Sequence, residues 1–179
     1  LEQIRFFNQS ANKYLWSNLE ELANEILLEI QTQYPDILVS TCGDFRRKAI
    51  ILERIDFLIA NEDITVQRKI SEKYNEFPVQ IEFCNKHDFY FKLLQLSSDK
   101  EHFGFLSYKI DAAKEYTSEK QIYEDANLPF IVPELRDNKL EWKLAEANKL
   151  DDLIELQDIK GVVHSHSHYS DGTNSLKDL

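Results

Sequence analysis

The chain has 179 residues, with 21 Lys plus Arg against 32 Asp plus Glu and a formal net charge of −11. That balance excludes charge-driven nucleic-acid binding over the whole surface, since affinity for phosphate comes from cations, but leaves room for a local basic site. Apolar residues make up 42%, enough for a core, and four Gly with four Pro exclude low complexity or a long flexible linker.

In chain order, Ser17 to Ile30 reads as the clearest helix. Leu19, Leu22, Ala23, Ile26, Leu27 and Ile30 recur at helical spacing, Ser17 with Glu20 matches a capping box, and Pro35 ends the stretch. Ile37-Leu38-Val39 reads as a buried strand stopped by Gly43. The β-branched run from Ile50 through Ile55, Phe57, Leu58 and Ile59 suits a strand, with Asp56 set inside it. Val79 to Phe83 alternates strictly, with Val79, Ile81 and Phe83 on one face and Gln80 and Glu82 on the other. Asp88 to Leu96 fits helix or strand. Ser98 opens a helix running to about Tyr116, and Thr117 starts a short one. Leu128 to Pro133 is extended, and Leu140 to Leu156 is helical in propensity. Asp158 to Val163 is strand-like and leads into His164, His166 and His168.

No run of 18 apolar residues is present, and Leu1-Glu2-Gln3-Ile4-Arg5 lacks a signal pattern, so neither a membrane nor export is expected. The first residue is not Met, which reads as a piece of a longer chain. Cys42 and Cys84 lack ligand spacing and read as reduced thiols in a cytoplasmic protein.

Three constellations carry chemistry. Gly43-Asp44-Phe45-Arg46-Arg47 joins a glycine, where backbone amides approach an anion, to two guanidiniums that can grip one; its alternative is a turn with two solvated arginines. Asp56 and Glu82 sit mid-strand and share a cation if the strands are neighbours; the alternative is one exposed side chain and one salt bridge. His164, His166 and His168 fall on one side of a strand, and with Asp171 they suit a transition metal; the alternative is a solvated tail.

Gly43-x-Phe45-Arg46-Arg47 followed by Ile55-Asp56-Phe57-Leu58 resembles the palm signature of family X DNA polymerases, within the nucleotidyltransferase superfamily. The later pieces keep the order of the bacterial members. Val79 to Phe83 resembles the third catalytic strand, Ser97 to Phe103 the thumb entry, and Leu128 to Arg136 the thumb's end. Ile159 to Gly172 resembles the first metal motif of a PHP phosphoesterase domain. The resemblance implies an α+β fold, with a nucleotidyltransferase-like palm built on a small mixed sheet flanked by helices, plus a small thumb. Residues 1–16 are then the exit of a helix-hairpin-helix region, 17–96 the palm, 97–157 thumb and connector, and 158–179 the start of the PHP domain.

The same resemblance implies catalytic carboxylates at Asp56 and Glu82, phosphate contacts at Gly43, Arg46 and Arg47, and metal ligands at His164, His166 and Asp171. Mg2+ or Mn2+ belongs to the palm, Zn2+ or Mn2+ to an intact PHP domain, and DNA is the partner. Two departures stand out. The family's first metal-bridging aspartate falls on Arg54, and Asp44 replaces the serine that contacts the triphosphate, which puts nucleotide binding and two-metal transfer in doubt. The leading expectation is a palm degenerate for nucleotidyl transfer, beside a PHP domain capable of metal-dependent phosphoester or 3′-5′ exonuclease hydrolysis, with weak DNA binding by this fragment. The alternatives are an active nucleotidyltransferase using Asp44, Asp56 and Glu82, and a non-enzymatic scaffold or interaction module. A basic groove around Arg46, Arg47, Lys48, Arg54 and Lys92 would favour DNA.

Overall fold

The computed structural model describes residues 13–147, 149–150, 154, 156–161, 166–175 and 177. They fall into two compact units, divided after residue 147.

In the first unit, β1 (Tyr14–Leu15) runs straight into α1 (Trp16–Gln33). The helix starts at Trp16, because tertiary anchors fix that residue. Its amide donates to the Ile50 carbonyl at 3.1 Å, and its indole Nε1 to the Phe45 carbonyl at 2.8 Å. Leu15 is the N-cap and makes no side-chain cap, so the expected capping box at Ser17 does not form; Ser17 lies inside the first turn. Strand β2 is Val39–Cys42, shifted from the expected Ile37–Val39 by its pairing with β4 (Ile55–Ala60), in which Val39 faces Ile59. Between them lie the single turn α2 (Gly43–Arg46) and the short β3 (Ile51–Leu52), which pairs with β1.

Helix α3 (Ile64–Tyr74) is capped by Asp63, whose carboxylate accepts from the amides of Thr65 and Val66. It crosses to β5 (Val79–Cys84), which pairs with β4 in parallel, placing Asp56 opposite Gln80 and Leu58 opposite Glu82. The sheet order is β2-β4-β5, with β2 antiparallel and β5 parallel to β4. The unit is therefore α+β with a small mixed sheet flanked by helices, as expected.

The alternation of β4 splits the core. Ile55, Phe57 and Ile59 pack with Leu19, Ala23, Ile26 and Ile30 of α1 and Ile70 and Tyr74 of α3. Leu58, Ala60, Cys42 and Cys84 pack on the other face against Phe89 and Leu93 of α4 (Phe89–Leu96). Each fully buried Ile, Leu or Phe contributes about 1.5–3 kcal/mol.

Helix α5 is Lys100–Ser107, capped by Asp99; Ser98 instead donates its hydroxyl to the Leu94 carbonyl at 2.7 Å. It stops well short of the expected Tyr116. The Asp111 side chain accepts from the Ala113 amide at 2.9 Å, and its carbonyl accepts from the Tyr116 hydroxyl at 3.1 Å, closing a turn that competes with helix. Helix α6 (Glu119–Asp125) is capped by Ser118 rather than Thr117. A 3-10 turn at Pro133–Leu135 and α7 (Glu141–Glu146) follow, so among the described residues of the helix expected over Leu140–Leu156 only a short segment at its start is α-helical. No helix among the described residues is long and apolar enough to cross a membrane.

In the second unit, Leu156–Asp158 is a 3-10 turn and residues 159–161 are irregular, so the described part of the strand expected over 158–163 is not strand. His166 is irregular and His168 lies in a turn, so they are not neighbours on one strand face; His164 lies outside the described residues.

Candidate functional site

The sheet register gathers Asp56 and Glu82. Both lie on the face covered by α4, at the end where that helix stops, and Leu96, Cys42, Gly43, Arg54 and Gln80 complete a cavity of about 220 Å³ around them. Gly43 holds the close approach. Its φ is +62°, and a Cβ there would stand 2.9 Å from Asp56 Oδ2. The Cys42 thiol feels both carboxylates. Burial first, then the charges of Asp56 and Glu82, push its pKa up to about 12, so it stays protonated.

Each carboxylate already has a cation. Arg54 Nε donates to Asp56 Oδ1 at 2.8 Å, and Lys92 Nζ to Glu82 Oε1 at 3.3 Å. The hydrogen bond from Arg54 to Asp56, reinforced by its charge, raises the pKa of the guanidinium above its ordinary value. Arg54 and Asp56 also line a second cavity of about 240 Å³ with Lys13, Asp44 and Glu53, so the pair stands between the two spaces.

The arginines of the Gly43–Arg47 segment face away from this pair. Arg46 makes a forked contact to Glu119 of α6, with Nη1 donating to Oε1 at 3.0 Å and Nη2 to Oε2. Arg47 donates to Asp44 and, at 3.3 Å, to the Arg136 carbonyl. Lys48 pairs with Glu134 at 3.0 Å. Three successive cations thus tie the sheet's turn to α6 and to the segment 134–136, and Arg47 also takes up Asp44. The five cations expected to line a basic groove, Arg46, Arg47, Lys48, Arg54 and Lys92, all pair with carboxylates. Asp44 pairs with Arg47 and lines the second cavity, Glu82 lines the first, and among the described residues no metal-suited group of three forms from Asp44, Asp56 and Glu82.

Sequence reading missed the residues that close this network. Glu119 is buried and also accepts from Arg136 Nη1 at 2.6 Å. Burial works against its charge, yet the Arg46 hydrogen bond and the Arg136 charge outweigh it and lower its pKa. Arg136 is fully buried, donates Nε to the Ile131 carbonyl at 2.9 Å and lies over the Tyr123 and Phe130 rings, while Nη2 finds no hydrogen-bond partner among the described residues. Glu119 lies in the first turn of α6, where an acid is ordinary; nothing local signalled its burial.

A second buried cluster joins α5, α6 and α7. His102 faces Glu141 at 2.8 Å through Nδ1 and the Tyr123 hydroxyl at 2.8 Å through Nε2, and it stacks on Trp142. Glu141 also accepts from the amides of Asn138 and Lys139, each at 2.9 Å. Burial lowers the His102 pKa despite the opposing pull of Glu141, so the ring is neutral: Nδ1–H donates to Glu141, and Nε2 accepts from Tyr123.

In the second unit, His166 Nδ1 contacts Asp171 Oδ1. The turn that joins them needs Gly172, because a Cβ there would meet the His166 carbonyl oxygen at 2.2 Å. His166 and Asp171 are thus brought together, while the third expected ligand, His164, lies outside the described residues. Among the described residues, no three of His, Cys, Asp or Glu gather in a cluster suited to a metal ion.

The residues around Asp56 do not fit the divalent ions that the resemblance implies. Mg2+ and Mn2+ take oxygen ligands, and two bridged ions need dense negative charge. Here one carboxylate oxygen faces Gly43, the other is bound by Arg54, and Glu82 is neutralised by Lys92.

The fold and site define a small mixed-sheet α+β unit with two carboxylates on adjoining strands above a glycine–arginine turn. The chain is 27% identical over 153 residues to the DNA polymerase/3'-5' exonuclease PolX of Bacillus subtilis (strain 168), covering 76% of this chain and 26% of that protein. This similarity supports a relationship to the family X DNA polymerases. The chain spans about a quarter of that relative's length. No protein-family model matches the chain.

Proposed function

We propose that the chain is a palm-and-thumb piece of a family X-like DNA-repair protein that does not transfer nucleotides. In this reading residues 17–96 are the palm, 97–157 the thumb and connector, and 158–179 the opening of a PHP domain. The piece acts as a structural or DNA-positioning module in a cytoplasmic protein. The parent's chemistry is metal-dependent phosphoester hydrolysis of DNA, with His164, His166 and Asp171 among its ligands.

The observation that carries the reading is the Asp44–Arg47 ion pair. The family resemblance gives Arg47 the role of meeting a nucleotide's phosphates, and here it holds a carboxylate that would repel them. A triphosphate would have to displace Asp44 and then meet it as a like charge. Pairing of Arg46, Arg47, Lys48, Arg54 and Lys92 with carboxylates also favours scaffold over strong DNA contact within the same reading.

Primer extension tests it. A primed template, deoxynucleoside triphosphates and Mg2+ or Mn2+ should yield no template-directed product with this chain. Clear extension that Asp56→Asn abolishes would overturn the reading. A salt-dependent shift in DNA mobility would favour the DNA-positioning role; no shift at low salt would favour the scaffold.

A further inference from the structure

We infer that the cleft around Asp56 and Glu82 is metal-independent, with Arg54 and Lys92 supplying the positive charge that divalent ions would otherwise bring, and that Arg54 is the residue that shuts the cleft to them. The inference rests on the palm-like reading above and extends it to the site's present chemistry.

The geometry assigns the roles. Arg54 precedes Asp56 by two positions and reaches it through Nε at 2.8 Å, standing between the two cavities. Lys92, on α4, reaches Glu82 on β5 at 3.3 Å. Two carboxylates and two cations sum to zero, so an arriving divalent ion finds no net attraction and must displace a tethered partner. The other donors do not compensate. Cys42 stays a thiol, Gln80 is neutral, Asp44 is bound to Arg47, and in the adjoining cavity the charge of Glu53 is offset by that of Lys13. Asp56 itself meets Gly43 with its second oxygen. The side chain of Arg54 is 53% exposed, so replacing it disturbs no core packing.

Changing Arg54 to Asp takes the local charge from zero to −2 and places three carboxylates within one cleft. The test is a Mn2+ titration of the full chain, reading free Mn2+ by electron paramagnetic resonance. Wild type and Asp56→Asn should take up Mn2+ alike, so that any uptake by the His166 region cancels. Arg54→Asp should gain a site at least tenfold tighter, and adding Asp56→Asn should remove it. Arg54→Ser, which deletes the cation without adding charge, should show a smaller gain of the same site if Arg54→Asp folds poorly. A wild-type Mn2+ site lost in Asp56→Asn would overturn the inference, as would folded Arg54 variants that gain nothing. Asp56-dependent Mn2+ binding without primer extension would sink this inference and leave the functional reading intact. Extension without such binding would do the reverse.

Discussion

Glu119→Gln keeps the shape of the side chain and removes the carboxylate that Arg46 and Arg136 share. Arg136 cannot relax into water, because it is fully buried with Nη2 already lacking a partner among the described residues. Removing one member of a buried ion pair costs about 3–5 kcal/mol. The amide oxygen of Gln still accepts one hydrogen bond, and the partly exposed Arg46 can turn outward, which brings the expected loss to roughly 2–4 kcal/mol. For a chain of this size that corresponds to a fall in Tm of about 10 °C. Urea unfolding followed by tryptophan fluorescence reads it, because Trp16 packs on Phe45 beside Arg46 and Trp142 packs on His102. Single-tryptophan versions should report the same shift if the Arg46–Glu119–Arg136 network couples the sheet to the later helices. An Arg46→Met background should shrink the loss without abolishing it, since Arg136 still faces residue 119. A loss below about 0.5 kcal/mol would refute the claim that this network holds the unit together.

Gly43→Ala should cost about 1–3 kcal/mol, from a left-handed backbone and a Cβ pressed on Asp56; an unchanged urea midpoint would contradict the placement of Gly43 against that carboxylate. Acid should destabilise the fold through two groups whose pKa values folding lowers. His102 favours the fold above its ordinary value of 6.5, and that contribution fades as pH falls below it; Glu119 adds its own loss below about 4.5. Tm measured from pH 8 to 4 should therefore fall first through the histidine window, and His102→Phe should flatten that part of the profile; an equal slope in both proteins would sink the assignment. Asp63→Ala, which removes two accepted amides at the start of α3, should cost about 1 kcal/mol by the same unfolding assay, and no loss would mean that the cap contributes nothing.

What was legible in the sequence is what periodicity and register determine. The strand alternation of Val79–Phe83 and the apolar run around Asp56 set Asp56 and Glu82 mid-strand, because period-2 patterning fixes which face each residue takes; that the two strands are neighbours follows from the sheet pairing. Glycine at position 43 was read as letting backbone amides approach an anion; the neighbour that comes close is instead the Asp56 carboxylate, which spacing did not name. Helix ends were less legible, since tertiary bonds to Trp16 and the Asp111 turn decided them over local propensity. The partners of the arginines were not legible. Arg46 and Glu119 lie 73 positions apart, and a charge pattern does not tell a phosphate grip from an internal clasp. Arg54 was visible as a misplaced charge, but its hydrogen bond to Asp56 follows from strand geometry and not from spacing alone.

The most direct test of the account is equilibrium binding of a fluorescent deoxynucleoside triphosphate to the chain at physiological salt with Mg2+ present. The Asp44–Arg47 pair predicts no saturable binding by wild type, with binding gained on Asp44→Ser and lost again when Arg47→Ala is added. Saturable binding by wild type that Arg47→Ala abolishes would contradict the account.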